Sequence, residues 1–230
     1  MNLRTFILGL AASFGFAWLV LVVVPFFKMR NLQPIPFEES TTTGQVFFPK
    51  RTGRVADGSQ VYAENGCYLC HTQVVRPTYA GKDMFFADWG GLANDADRGD
   101  TRRETNAFDF IGEKYAHIGQ TRLGPDLSNV ARRVETNYVA KGQSPEAWLY
   151  AHLYNPRSNP KLWRSTCPPH PFLFEKRKVT GQPSDQALDV DTCEGYEIVP
   201  DSDARALVSY LMSLKKDQAV PPALKFSSRK

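Results

Sequence analysis

Gly66-Cys67-Tyr68-Leu69-Cys70-His71, followed by Thr72-Gln73-Val74-Val75-Arg76-Pro77, is the stretch that decides the fold. C-x-x-C-H is the attachment signature of a c-type haem. Cysteines spaced by one helical turn reach the two vinyl groups of a single haem as thioethers, and the adjacent histidine lies under the iron as its proximal ligand. A bare C-x-x-C would leave a zinc or thioredoxin-like site open. Zinc needs four ligands, and no second C-x-x-C or spaced histidine pair is present to complete them. A thioredoxin-like site needs a surrounding βαβ pattern, which is missing. One covalently attached haem c is therefore expected at Cys67, Cys70 and His71.

The flanking sequence agrees. Residues 55–65 (VADGSQVYAEN) predict a short helix with Val61 and Tyr62 on its apolar face, and Gly66 lets the backbone approach a cofactor. Residues 201–215 (DSDARALVSYLMSLK) predict a second, strongly amphipathic helix. Ala204, Leu207, Val208, Leu211 and Leu214 recur at helical spacing as one stripe. Asp201 and Asp203 at its start and Lys215 and Lys216 at its end suit the helix dipole. A first helix leading into the motif and a last helix packing across it is the layout of a cytochrome c.

Farther out lies an anchor. Residues 6–27 (FILGLAASFGFAWLVLVVVPFF) carry no charge. At about 1.5 Å per residue they make a helix of roughly 33 Å, enough to cross a bilayer core of about 30 Å. Pro25 sits near the end, where a kink or stop is tolerated. A cleaved signal peptide would have a shorter apolar run and a small-residue cleavage site, whereas Pro25-Phe26-Phe27-Lys28-Met29-Arg30 follows here. Arg4 and the amino terminus on one flank balance Lys28 and Arg30 on the other, so charge does not orient the span. Haem attachment outside the cytoplasm does: residues 1–5 are expected inside and the remainder in the periplasm of a bacterial inner-membrane, single-pass protein. The expected organisation is an anchor over 1–28, a linker over 29–53, a haem domain over 54–218 and a tail over 219–230.

Composition bounds the rest. The chain has 230 residues and a net charge of +4, from 28 basic and 24 acidic side chains. That charge is too mild and too dispersed to argue for nucleic acid. A mean hydropathy of −0.37 excludes a polytopic membrane protein. Four cysteines are too few for a disulfide scaffold of this length. Nothing resembles a nucleophile with its base, a phosphate loop or a copper site, so no active site of the chain's own is expected.

The motif in its context resembles the haem site of subunit II of cbb3-type cytochrome c oxidases. The likeness continues through Thr121-Arg122-Leu123-Gly124-Pro125-Asp126-Leu127, then Trp148, then Ala151-His152-Leu153-Tyr154-Asn155-Pro156-Arg157. It spans nearly the whole chain in order. The resemblance implies an all-α protein: one transmembrane helix followed by a periplasmic cytochrome c-like domain with loop insertions. It implies an electron-transfer subunit that exchanges electrons with other c-type cytochromes and passes them to a catalytic haem–copper subunit, which reduces oxygen. The haem c subunit of a nitric oxide reductase shares the plan and is the alternative. A haem-based sensor with an open iron site is a third reading.

Two departures stand out. Residues 87–105 (ADWGGLANDADRGDTRRET) read as a polar surface loop. The family's second iron ligand is a methionine in a Met-Pro step shortly after Asn155-Pro156-Arg157. Here the equivalent stretch is Ser165-Thr166-Cys167-Pro168-Pro169-His170-Pro171, with Cys167 in the methionine's place. Cys167 is thus a candidate sixth ligand, with His170 and Met84 as alternatives. Equally, Cys167 could pair with Cys193 in an oxidising compartment, a bridge worth roughly 3–4 kcal/mol by loop entropy.

Leu123–Leu127 by itself reads as a turn with Pro125 at its second position; the resemblance to cytochromes c implies that this turn faces the proximal histidine, with the Pro125 carbonyl accepting the imidazole Nδ1–H. His117 and His152 are expected to be structural or propionate-binding rather than iron ligands, with His152 a packing histidine. Arg122 and Arg157 are candidate partners of haem propionates. Glu175-Lys176-Arg177-Lys178 is expected to be a solvated face.

Overall fold

The computed structural model describes residues 2–30, 53–110, 112–139 and 143–218. Residues 31–52 of the linker expected over 29–53, and the tail expected over 219–230, lie outside the described residues. The chain divides into two compact units, Met1–Val46 and Phe47–Lys230.

In the first unit a single helix, α1 (Leu3–Met29), has a mean hydropathy of 2.5 and is long and apolar enough to cross a membrane. Asn2 caps it, its side-chain oxygen accepting from Thr5 N at 2.9 Å. Pro25 neither kinks it to a stop nor ends it. The turn Leu19–Val23 immediately before it is wound as a π-turn, in which Val24 N–H reaches back to the Leu19 carbonyl. The proline lacks the N–H of a regular turn and crowds the preceding carbonyl, and the wider turn accommodates both.

The second unit is helix-rich. Its elements are α2 (Arg54–Glu64), α3 (Val130–Arg133), α4 (Pro145–Tyr154), β1 (Phe174–Lys178), β2 (Tyr196–Pro200) and α5 (Ser202–Ser213). α2 and α5 fall where the apolar periodicity places them. Asp201 caps α5, its Oδ1 accepting from Ala204 N at 2.7 Å. The stripe Ala204, Leu207, Val208, Leu211 and Leu214 is buried throughout, as are Val61 and Tyr62 of α2. Each leucine or valine among them contributes roughly 1.5–3 kcal/mol by leaving water. The two helices pack backbone to backbone at Gly58, where a Cβ would lie 2.0 Å from the Ala206 carbonyl oxygen. α4 begins at a Ser144 cap with Pro145 in its first turn and adds Trp148, Leu149 and Leu153 to the same core.

The all-α expectation is corrected by β1 and β2, which pair antiparallel with Phe174 opposite Pro200 and Lys178 opposite Tyr196. Glu175 to Lys178 are exposed, as a solvated face should be, but on a strand. Its partner is half the reason: Ile198 and Val199 of β2 are buried, and Glu197 accepts from Arg177 Nε at 2.7 Å. The charged run of β1 has no alternation of its own, so only the distant strand reveals it.

The polar loop over 87–105 is irregular, and it is tied down. Asp217, 2% exposed, accepts from Thr101 Oγ1 at 2.9 Å and pairs with Arg98 and Arg132. Asn129 Nδ2 donates to the Trp89 carbonyl at 2.7 Å.

Candidate functional site

The site begins where α2 ends. Gly66 takes the left-handed conformation (φ 67°), which turns the chain into a short 3-10 helix over Cys67–Leu69. A side chain at that position would be strained. The Cys67 carbonyl accepts from both Cys70 N (3.2 Å) and His71 N (3.0 Å), so two thiols and an imidazole leave one turn.

The imidazole is then fixed from the far side of the chain. His71 Nδ1 lies 2.8 Å from the Pro125 carbonyl oxygen. A carbonyl can only accept, so Nδ1 carries the proton and Nε2 presents a lone pair. This is the contact the sequence predicts for the Leu123–Leu127 turn. Burial holds His71 below its ordinary pKa, outweighing the Pro125 hydrogen bond, and keeps the ring neutral as a metal ligand must be. Gly124 N–H donates to the Cys70 carbonyl at 2.9 Å, clamping the turn to the motif. A Cβ on Gly124 would lie 2.1 Å from His71 Cε1. Gly124→Ala is therefore expected to displace the ring from Pro125 and, on the haem reading proposed below, to weaken ligation at His71 by about 10–100-fold. Haem staining and the visible spectrum of the variant check this, and wild-type loading with an unshifted spectrum would refute it.

Beneath the turn, Asp126 is fully buried. Its Oδ2 accepts from Thr72 Oγ1 (2.6 Å) and Val74 N (2.8 Å), and its Oδ1 from Ser128 N (2.8 Å). The segment after the motif is thus stitched to the segment after Pro125.

Of the three candidate sixth ligands, Cys167 is an electrostatic neighbour of both motif cysteines. Burial pushes the Cys67 thiol up to about 12, and its first electrostatic neighbour is Cys167. Burial also raises Cys167, with Cys70 as its neighbour. His170 lies three residues on, its N–H donating to the Leu153 carbonyl at 2.8 Å and its ring edge-on to Phe172. Met84 is packed elsewhere: a Cβ on Gly90 would lie 3.0 Å from its sulfur. Cys193 is exposed, 3.3 Å from Lys176 Nζ. All four cysteines are free thiols, so no Cys167–Cys193 bridge is present.

Both arginines singled out as propionate partners have other work. Arg122 donates to Asp83 (2.7 Å), the Val74 carbonyl (2.6 Å) and Thr72 Oγ1 (3.0 Å). Arg157 Nη1 donates to the Ser165 and Cys167 carbonyls, both at 3.1 Å, and so holds the Cys167 turn. His117 is structural as expected, bonded to Ser59 Oγ at 2.8 Å among Tyr62, Tyr115 and Tyr210. His152 also packs, third in a stack with Tyr138 and Trp148. It is less satisfied than a packing histidine usually is: its buried Nδ1 has no partner among the described residues, and burial lowers its pKa to about 4.

Sequence reasoning missed Arg133. It is 3% exposed and donates from Nη2 to the Asp126 carbonyl at 2.8 Å. It also acts electrostatically on His71. A basic residue in a run such as Ala131-Arg132-Arg133-Val134 gives no sign of which arginine turns inward. Among the described residues, no three His, Cys, Asp or Glu side chains converge as they would around a bare metal ion.

No protein-family model and no curated protein matches this chain.

Proposed function

We propose that this protein is a membrane-anchored, single-haem c-type cytochrome. More particularly, we propose that it serves as subunit II of a cbb3-type oxidase. The observation that carries the first step is the His71–Pro125 contact at 2.8 Å, made beside two thiols that leave the same turn. An imidazole whose Nδ1–H is tied to a carbonyl directs Nε2 outward as a ligand of fixed tautomer and orientation. Cys67 and Cys70 would hold the haem covalently, His71 would ligate its iron, and Cys167 is the favoured residue for the opposite side.

A bound haem supplies a one-electron ferric–ferrous couple. The chain's own residues would hold that couple rigidly: Pro125 and Gly124 fix the His71 ring, Asp126 joins the two segments that bear them, and Arg157 secures the Cys167 turn. Rigid ligation limits reorganisation during electron transfer, which suits a carrier. The oxidase assignment rests on the sequence likeness through residues 66–77, 121–127 and 151–157, with the periplasmic placement following from the covalent haem.

The test is purification of the detergent-solubilised chain. Haem staining that survives a denaturing gel, with a co-purifying partner containing b-type haem and copper and oxygen-reducing activity, is expected. Nitric oxide reduction by a partner with non-haem iron would move the chain to the alternative complex. The ligand is tested separately. Wild-type ferrous protein should be six-coordinate and inert to carbon monoxide, whereas Cys167→Ala should bind it readily. A variant that stays inert would transfer the role to His170 or Met84.

A further inference from the structure

Three rings of the second unit form a stacked ladder. Tyr138 and Trp148 have ring centres 4.8 Å apart and planes inclined by 10°, and Trp148 and His152 have centres 5.0 Å apart, again at 10°. The other ring contacts among the described residues are inclined by 45° or more, so the ladder stands apart from the ordinary tilted packing of this core.

Two features of its ends are not explained by packing. Tyr138 closes a π-turn, Val134–Tyr138, a winding that is rare in helices and recurs at functional sites. His152 keeps a buried Nδ1 with no partner among the described residues, a cost that an apolar side chain would avoid.

The ladder runs from solvent inward. Tyr138 is 39% exposed and Trp148 only 8%. His152 is an electrostatic neighbour of both His71 and His170. The carbonyl of the next residue, Leu153, accepts from His170 N at 2.8 Å, three residues beyond Cys167. The inner end is thus a neighbour of the motif histidine and of the Cys167 segment alike. Electron tunnelling falls off steeply across empty gaps and less steeply through atoms in contact. Rings held face to face therefore make an unbroken route between the surface and whatever His71 ligates.

We propose that Tyr138, Trp148 and His152 form an electron-entry route, carrying one electron from a reduced redox protein at the Tyr138 surface to the haem at His71. This rests on the haem reading above. The donor loses one electron and the ferric haem gains it. The rings mediate the transfer without being oxidised, and no bond or proton moves within the chain.

The experiment uses the full-length, detergent-solubilised protein in its ferric form, with Cys193→Ser and Asn137→Cys and a ruthenium bipyridyl complex on the introduced thiol. A light flash makes the complex give one electron to the haem, and the visible absorbance times its arrival. Trp148→Leu and Tyr138→Ala, each added to this parent, should slow arrival several-fold. Reduction by dissolved ruthenium hexaammine, which needs no fixed starting point, should keep the parent's rate. Redox titration of each variant separates a changed driving force from a broken route. If Trp148→Leu loses its fold by circular dichroism, Tyr138→Ala at the surface carries the test. Arrival times equal to the parent's in the folded variants would overturn the proposal, as would equal slowing with the dissolved reagent. Absence of covalent haem in the wild-type protein would instead overturn the haem reading itself, so the two failures are distinct.

Discussion

Covalent haem is expected to vanish completely from the Cys67→Ala/Cys70→Ala double variant. Thioether attachment needs a thiol at each vinyl group, and the structure offers no substitute near the motif other than Cys167. That thiol lies on a turn held by Arg157 through the Ser165 and Cys167 carbonyls, and it cannot take the position of a residue on the Cys67–Leu69 turn. Each single variant retains one thioether site and should give weakened staining. The fold should survive. The backbone bonds that define the turn come from the Cys67 carbonyl and the left-handed Gly66, both unchanged by alanine. Haem staining after denaturing electrophoresis, with far-ultraviolet circular dichroism as the folding control, reads the outcome. Wild-type staining of the double variant would end the c-type assignment.

Asp83→Asn is expected to cost about 3 kcal/mol, the low end for breaking a buried ion pair by removing one partner. The low end applies because Arg76 is 44% exposed and its share is screened by solvent. Asp83 itself is fully buried and ties three points of the chain together. Its Oδ2 accepts from Arg76 N at 2.8 Å, and its Oδ1 accepts from Arg76 Nη2 (2.8 Å) and Arg122 Nη1 (2.7 Å). Arg122 stands immediately before the Leu123-Gly124-Pro125 turn, so the loss is transmitted to the support of His71. For a unit of this size the cost corresponds to a fall of roughly 6–12 °C in Tm.

The pH dependence of that stabilisation has a definite sign. Burial pushes the Asp83 carboxyl up, but the hydrogen bonds from Arg76 and Arg122 outweigh it, and the group lies below the ordinary carboxylate range. A carboxyl whose folded pKa is depressed stabilises fully above its unfolded value of about 4. The contribution is lost as pH falls through the lower folded value. Wild-type Tm should therefore drop on acidification more steeply than that of Asp83→Asn, and the two curves should converge in acid. Parallel curves at all pH values would show that the fold does not hold the Asp83 carboxyl below its ordinary range.

Local patterns carried much of this protein into view. The stripe on residues 204–214 and the face formed by Val61 and Tyr62 needed only helical spacing, because a helix repeats its contacts every few residues. Glycine and proline side by side announced only a turn; the Pro125 contact with His71 was expected from the likeness to cytochromes c. The same reasoning failed where the partner lies far along the chain. β1 is a run of charges that becomes a strand only against residues 196–200. Arg122 looked suited to a cofactor carboxylate, yet Asp83, 39 positions away, takes it.

The sequence by itself determined the apolar helix, the two main helices of the second unit, and the placement of two thiols and an imidazole on one turn. These depend on residues a few positions apart, whose geometry is set by backbone periodicity. The tertiary structure alone decided the β-hairpin, the freedom of Cys193, the placing of Cys167 as an electrostatic neighbour of the motif cysteines and the burial of Arg133. Each of these depends on segments distant in sequence, and their relative placement follows from packing a shared core and satisfying buried charge, which no local pattern encodes.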